Sequence, residues 1–512
     1  MNRAHSLAFR RAAALLGVAI LGLLAFAGVA SAATYTVNTT ADQAPSPSAC
    51  NGAAGDCSLR QAISKADFNG EESDTIVVPA GHYGLTIEAG SEDTETGDLD
   101  ITDGNVAVEG AGARKTVIDA GAIEDRVFQV YAGASLALSG ATVTGGRTED
   151  EGGGIEVNEG ALSLKGVSLV DNESFNDGYG GGIYVEEGEL EIVDSTIARN
   201  RNSGDGGGIC AYDSTIVIED STIADNTTDT SLYPGNTGWG AYGGGMEIYG
   251  GPELVMLNVT ISGNKVIDGN GGEDGNGAGF AAGEFDAYEI ANTIVYGNVA
   301  EEVGELGQCT ETQESLGHNL EQQEPEGEPR CFEEPSDLIA DPQLSPLADN
   351  GGETDTMAIA ETSPAKDAGD AAFCSPTDQR GVAREGNCDI GAFEWAPPPP
   401  PVRPAPVNPA PAPKGSKFGI KRIVHLRAKG IAKLKIVCNG PGDFKLYGKQ
   451  LKSLDRRVGA GTVLIPVVPT ASLKKKLMAA GKVHVTARVW WTPDTGIGRI
   501  KDKQVGLWLI AR

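Results

Sequence analysis

A glycine block followed by an apolar residue returns along the middle of the chain. It reads Gly152-Gly153-Gly154-Ile155, Gly180-Gly181-Gly182-Ile183, Gly206-Gly207-Gly208-Ile209 and Gly243-Gly244-Gly245-Met246, with a looser copy at Gly277-Ala278-Gly279-Phe280. The steps are 28, 26, 37 and 34 residues. A second block, such as Thr196-Ile197-Ala198-Arg199-Asn200 or Thr222-Ile223-Ala224-Asp225-Asn226, moves with it. Its closing asparagines, Asn172, Asn200, Asn226, Asn264 and Asn298, are 28, 26, 38 and 34 residues apart. Two markers that drift in step define one structural repeat with loops of variable length. Between them apolar residues alternate: Ile183, Val185, Leu190, Ile192 and Ile197 in one copy, Ile209, Ala211, Ile216, Ile218 and Ile223 in the next. Such runs, broken by Gly, Asp and Asn, predict strands of about four residues, three to a coil. Coils stacked about 4.8 Å apart give a parallel β-helix with the apolar residues inside.

The asparagine series suits one turn of that coil, because stacked amides bond to each other and Asn tolerates a left-handed backbone. It is read as a ladder, not a ligand site. The inserts at 229–239 and 267–276 are expected to be loops on one face. In or beside them stand Tyr233, Trp239 and Tyr242, the kind of aromatic that carbohydrate sites use, although packing within the loops is the plainer reading.

Charge divides the chain. Residues 33–396 hold 14 Lys and Arg against 67 Asp and Glu, a net of −53, whereas residues 415–512 hold 21 against 4, a net of +17. The acidic part excludes nucleic acid as its partner, since like charges repel. Between the two parts, 397–414 contains ten prolines and is expected to be a stiff polyproline spacer.

Residues 1–32 read as a signal peptide: Arg3, Arg10 and Arg11 precede an uncharged apolar run over 12–30, and Ala30-Ser31-Ala32 is a cleavage site. No later segment is apolar enough to span a membrane. Cysteine usage agrees with a secreted or cell-surface address. Three close pairs in loop-rich stretches, Cys50 with Cys57, Cys309 with Cys331 and Cys374 with Cys388, are the expected disulfides. Cys210 reads as a small buried hydrophobe, and Cys438 stands alone in the basic part.

Two further segments carry a resemblance. Cys57-Ser58-Leu59-Arg60-Gln61-Ala62-Ile63 with Asp74-Thr75-Ile76-Val77-Val78-Pro79 resembles the CSLREA segment of exported bacterial β-helix proteins, with Gln61 in place of Glu. Asp349-Asn350-Gly351-Gly352, Asp378-Gln379-Arg380-Gly381 and Cys388-Asp389-Ile390-Gly391-Ala392-Phe393-Glu394 are similar to the choice-of-anchor Q segment of the same proteins. The glycine and asparagine repeats look like those of polymorphic outer-membrane proteins. The resemblance implies a right-handed parallel β-helix of the pectin-lyase-like kind over 33–396, and no established activity. Leu59, Ala62, Ile63 and Ala66 share a helical face that could cover one open end. The Cys374–Cys388 region is expected to seal the other as a disulfide-closed cap, with Asp378, Arg380 and Asp389 as its ion-pair network.

Beyond the spacer, alternation over 431–437, 463–468 and 483–491, turns at Gly440-Pro441-Gly442 and Pro493-Asp494, and a short basic helix over 471–480 predict a small Ig-like antiparallel β-sandwich. The whole fold is therefore all-β. Lys474-Lys475-Lys476 could hold an anionic envelope polymer or lipid headgroups.

Catalytic chemistry is sparse. Polygalacturonase-type hydrolysis needs paired carboxylates across the bond, and the chain has neither Asn-Thr-Asp nor Asp-Asp. Gly317-His318-Asn319 is a partial match, and Arg499-Ile500-Lys501 lies in the wrong domain. A lyase needs a base beside calcium-binding carboxylates, and Arg199, Arg201 and Asp205 form the one conceivable cluster. No resident cofactor is expected. Glu149-Asp150-Glu151, Asp177 with Asp205, and Glu273-Asp274 could take up calcium weakly, with solubility at high salt as the plain alternative. The function expected is that of a surface structural or adhesion protein facing an envelope polymer or a host or environmental glycan. The alternative is a carbohydrate-binding or polysaccharide-degrading β-helix.

Overall fold

A computed structural model describes residues 32–67, 73–88, 90, 96–176, 178–232, 241–267, 277–283, 285–301, 307–324, 329–384, 386–397, 418–426, 431–438, 441–493 and 501–511. The signal segment before Ala32, the spacer after Pro397, and Tyr233, Trp239, Glu273, Asp274, Asp177, Arg499 and Ile500 lie outside these residues. The chain divides into two compact units at Pro397/Pro398.

The first unit is a stack of parallel coils. One coil runs through Ile155–Asn158, Ala161–Lys165, Ser168–Val170 and Glu173–Ser174. Each strand pairs with its counterpart in the next coil, so four parallel sheets run along the axis. The sheets holding Ala161–Lys165, Ser168–Val170, Ile155–Asn158 and Glu173–Ser174 are called the first, second, third and fourth. The fourth sheet, six strands beginning with Arg147–Thr148, was not foreseen. Its strands are only two or three residues long, too short to show a period. Like residues stack: Ile155 opposes Ile183, then Ile209, Met246 and Phe280. Leu169 opposes Ile197, Ile223, Ile261 and Val295. All these side chains are fully buried, each worth about 1.5–3 kcal/mol against exposure.

Corner chemistry follows from the repeat. In Gly180-Gly181-Gly182 the first glycine has φ 62°. A Cβ on the other two would lie 2.4–2.6 Å from backbone oxygens of the next coil, so only glycine fits. Against the third glycine of each block the asparagines form a continuous ladder. Asn172 Nδ2 donates to Asn200 Oδ1 at 3.0 Å, Asn200 to Asn226 at 3.0 Å, Asn226 to Asn264 at 3.0 Å and Asn264 to Asn298 at 2.9 Å. Each Oδ1 also accepts the backbone N–H of the preceding ladder residue. The row ends on Gln308, whose Oε1 accepts from Asn298 Nδ2 at 2.9 Å. The left-handed residue is not the asparagine but the one before it: Asp171, Arg199, Asp225, Gly263 and Gly297 all have positive φ. That position turns the chain and frees the asparagine to point inward.

At the N-terminal end, helix α1 (Leu59–Asp67) lies over the first coils, with Leu59, Ala62, Ile63 and Ala66 in the common core. Ser58 and Gln61 form a reciprocal capping box: Ser58 N–H donates to Gln61 Oε1 at 3.1 Å and Gln61 N–H to Ser58 Oγ at 3.2 Å. Gln61 thus performs the bond a glutamate would. Arg60 is buried, paired with Asp42 at 2.9 Å and donating to the carbonyls of Gly97 and Asp98 at 2.7 Å each. Burial opposes Asp42 ionisation, but Arg60 and the N–H groups of Thr86 and Ile87 hold its pKa below the ordinary value.

The opposite end corrects the expectation. Residues 307–324 and 329–332 close the interior. Cys309 is disulfide-bonded to Cys331, Phe332 packs on Phe280, and buried Glu321 accepts from Arg330 and from the Cys331 N–H at 2.7 Å each. The Cys374–Cys388 disulfide is formed, as is Cys50–Cys57, but it seals no end. Its segment doubles back along the outer face of the second sheet as a strap, from Leu338–Ile339 to Thr196–Ala198. This crosses five strand spacings, about 24 Å. Gln379 is its central pin: its amide donates to Thr196 Oγ1 at 2.9 Å and accepts from Thr222 Oγ1 at 2.6 Å. The outward row Thr196, Thr222, Thr260, Ile294 and Leu320 is small or apolar and fully buried beneath it. A row so poor in charge needs covering, which is why the strap lies there. Within the strap Arg380 pairs with Asp378 at 2.6 Å, but Asp389 accepts backbone N–H groups of Asp367 and Trp395 instead. The long-range link is Arg384, joined to Asp220 at 2.9 Å and Glu394 at 3.3 Å.

The second unit is a small antiparallel sandwich of Ig-like type. Phe418–Leu426, Ile431–Cys438 and Gly461–Val467 form one sheet. Leu454–Val458, Gly442–Tyr447, Lys482–Pro493 and Lys501–Ile510 form the other. Trp491 stacks on Phe444 at 6.1 Å in its core. Helix α2 (Ala471–Ala480) ends at left-handed Gly481, whose N–H bonds Leu477 O.

Candidate functional site

The outer face of the third sheet carries chemistry in register. One outward row reads Asp100, Gln129, Glu156, Tyr184, Cys210, Glu247 and Ala281. The next outward row holds Asn158, Glu186, Tyr212 and Tyr249, with Tyr131 ahead of it. Each member of the first row follows an inward-facing residue such as Ile155 or Ile183, so the pleat alone turns it outward.

Two clusters stand out. Arg126 bridges Glu156 at 2.9 Å and Asp98 at 3.6 Å, and donates to Gln129 Oε1 at 3.0 Å. Tyr131 hydroxyl donates to the same Gln129 oxygen at 2.9 Å, and Asn158 Nδ2 to Glu156 Oε1 at 2.6 Å. Asp98 is nearly sealed, its side chain 8% exposed. Burial, reinforced by Asp100 and Asp125, pushes its carboxyl well above the ordinary range against the pull of Arg126. Burial likewise raises Glu156. Three coils along, Tyr212 hydroxyl donates to Glu247 Oε2 at 3.0 Å, and Cys210 Sγ lies 3.4 Å from the same oxygen. Burial raises Glu247, and it raises the Cys210 thiol with help from Glu247. Tyr179 and Tyr184 rings each lie 6.2 Å from Tyr212, and Tyr249 is 62% exposed. Carboxyls, hydroxyls, amides and rings side by side make this a hydrogen-bonding face.

This is the geometry of a coiled parallel stack with a polar outer strip. A family model described as a right handed beta helix region matches residues 123–300. That stretch is a right-handed β-helix. No curated protein and no solved structure matches the chain.

The residues singled out from sequence for lyase chemistry are not assembled in this β-helix. Arg199 pairs with Asp171 at 3.0 Å, Arg201 turns to Asp229, and Asp205 accepts the Tyr242 N–H at 2.7 Å. His318 sits in a left-handed turn with Nδ1 2.8 Å from Ala368 O, and Asn319 Oδ1 accepts the Thr293 N–H at 2.9 Å, so Gly317-His318-Asn319 anchors the strap. Among the described residues no three His, Cys, Asp or Glu side chains converge as a metal site. Cys210 and Cys438 are free and buried. The outward strip was missed because its members are 26–37 residues apart. The signal was available: the second residue after each glycine block is Glu156, Tyr184, Cys210 and Glu247.

Proposed function

We propose that the protein is an exported, adhesion-type scaffold. Its β-helix binds neutral glycan along the outer strip, and its basic C-terminal unit holds it at the cell envelope. The strip of Tyr131, Tyr184, Tyr212 and Tyr249 interleaved with Gln129, Glu156, Asn158 and Glu247 carries the reading. Rings beside hydroxyl and amide donors suit sugar faces and sugar hydroxyls. The net of −53 over 33–396 disfavours polyuronates. The three disulfides fit an oxidising, extracellular environment, and among the described residues no helix is long and apolar enough to cross a membrane. The resemblance of the end segments to CSLREA and choice-of-anchor Q regions fits the same address.

Distance favours binding over hydrolysis. Glu156 and Glu247 are three coils apart in register, about 14 Å at ~4.8 Å per coil. Glycosidic cleavage needs two carboxyls about 5–9.5 Å apart. Asp98 and Glu156 are nearer, but one guanidinium holds both. The test is a panel of immobilised neutral and uronate oligosaccharides against the full chain and Tyr249→Ala. Binding to a neutral member, weakened about fivefold or more by the substitution, is expected. Binding confined to uronates, or release of unsaturated or reducing products, contradicts the reading.

A further inference from the structure

The chain leaves the β-helix through the strap. Pro397, the last residue of the first unit, follows the strap directly, so any pull from the C-terminal unit enters the β-helix there. The returning arm lies over the later coils. Ile390 and Phe393 pack with Ile294 and Leu320, Gly391 N–H donates to Asn292 O at 2.8 Å and Ala392 N–H to Thr260 Oγ1 at 3.0 Å. Cys388 comes next, bonded to Cys374. Two buried asparagines hold the segment before that bridge: Asn258 donates to Phe373 O at 3.0 Å and Asn292 to Asp370 O at 3.2 Å. The ring so closed contains the 13 residues 375–387, and these carry the pins that reach back along the sheet. Gln379 holds Thr196 and Thr222, and Arg384 holds Asp220. Further out, the hairpin 344–359 meets Arg114, which pairs with Asp355 at 2.8 Å and Asp349 at 3.1 Å.

We propose that the strap is a mechanical clasp in which the Cys374–Cys388 ring keeps Gln379 and Arg384 off the line of pull. Its use, holding a surface-bound chain under tension, rests on the retention part of the proposed function. Tension arriving at Cys388 crosses the disulfide to Cys374 and runs on through 373–340, so residues 375–387 are not stretched. Their bonds to Thr196, Thr222 and Asp220 then resist together with those at Asn258 and Asn292. Without the bridge the same pull enters the loop at residue 387 and reaches Arg384, then Gln379, one after the other. Bonds broken in turn each face the whole force, whereas bonds loaded together divide it. The coil stack is spared as well. The pairing of Leu338–Ile339 with Leu320–Glu321 is only two residues long, and tension does not reach it until the strap is off.

The experiment holds single full-length molecules in a force clamp, between a handle at the C-terminus and one at Ala137→azidophenylalanine, an exposed position on the first sheet. Cys374→Ser/Cys388→Ser opens the ring and Gln379→Ala removes one pin within it. Cys50→Ser/Cys57→Ser loses a disulfide outside the strap, and circular dichroism confirms that each variant folds. The sandwich adds an extension step common to all of them. In the parent the strap is expected to release in one step, before any coil. Opening the ring should lengthen that step by about 40 Å, the reach of the 13 freed residues less the span of the bridge. It should also shorten the lifetime at fixed force at least about tenfold, the factor that one hydrogen bond to a charged group represents. Gln379→Ala should shorten the lifetime and leave the step length unchanged. The control pair should change neither. A lifetime insensitive to the ring or to Gln379, or coils that unravel before the strap leaves, overturns the proposal. Sedimentation with isolated envelopes separates the two readings. A ring-sensitive lifetime without envelope binding removes retention and leaves the clasp. Envelope binding with a ring-insensitive lifetime does the reverse.

Discussion

Asn226 shows how much one side chain of the ladder does. Its Oδ1 accepts the N–H and the amide of Asn200, and its own amide reaches Asn264 Oδ1 and Ile197 O at 3.0 and 2.9 Å. Asn226→Ala leaves these groups without partners at a site closed to water. The expected loss is about 3 kcal/mol, read as a lower denaturation midpoint. Asp194 gives a pH signature. It sits at a left-handed corner beneath the strap, where burial and then Asp220 push its pKa up to about 6. The folded carboxyl holds its proton above the unfolded value of 3.8, so its stabilising share is whole below about pH 4 and is lost as pH rises through about 6. Asn accepts the same left-handed backbone. Asp194→Asn is expected to raise Tm over the parent at pH 7 and to leave it unchanged near pH 3.5. A gain independent of pH contradicts this origin. At this scale the ladder was legible because one residue type recurs in step with the glycine block. The left-handed position beside it was not, because Asp, Arg and Gly share it and no single type marks it.

The elements that matter most are the two that cover the β-helix. Helix α1 was legible from the apolar spacing of Leu59, Ala62, Ile63 and Ala66. The strap was legible as a segment and misplaced as an end cap, because sequence order does not distinguish a chain that stops at the last coil from one that returns along the side. Its attachment depends on Arg384, whose side chain is 1% exposed between Asp220 and Glu394. Arg384→Met strands two buried carboxylates, a change worth about 3–5 kcal/mol locally. Faster amide exchange across 350–394, with the ladder still protected, is the expected result. Unchanged exchange in the strap would show that the threonine–Gln379 bonds hold it without the arginine.

On the scale of the whole molecule, charge and repeat were read from sequence and architecture followed from them. The repeat specifies what faces inward, because stacked Ile, Leu and Val must match coil to coil. It leaves the outward positions free to differ, so Glu156, Tyr184, Cys210 and Glu247 show no common type. The outward strip therefore emerges only when register brings residues from separate coils side by side. The central claim is that a neutral glycan lies along this strip. Hydrogen–deuterium exchange of the full chain, with and without the tightest neutral oligosaccharide, tests it most directly. Protection confined to 128–131, 155–158, 183–186, 209–212 and 246–249 is the expected result. Protection on another sheet, or none on these strands while the sugar is bound, would contradict the account.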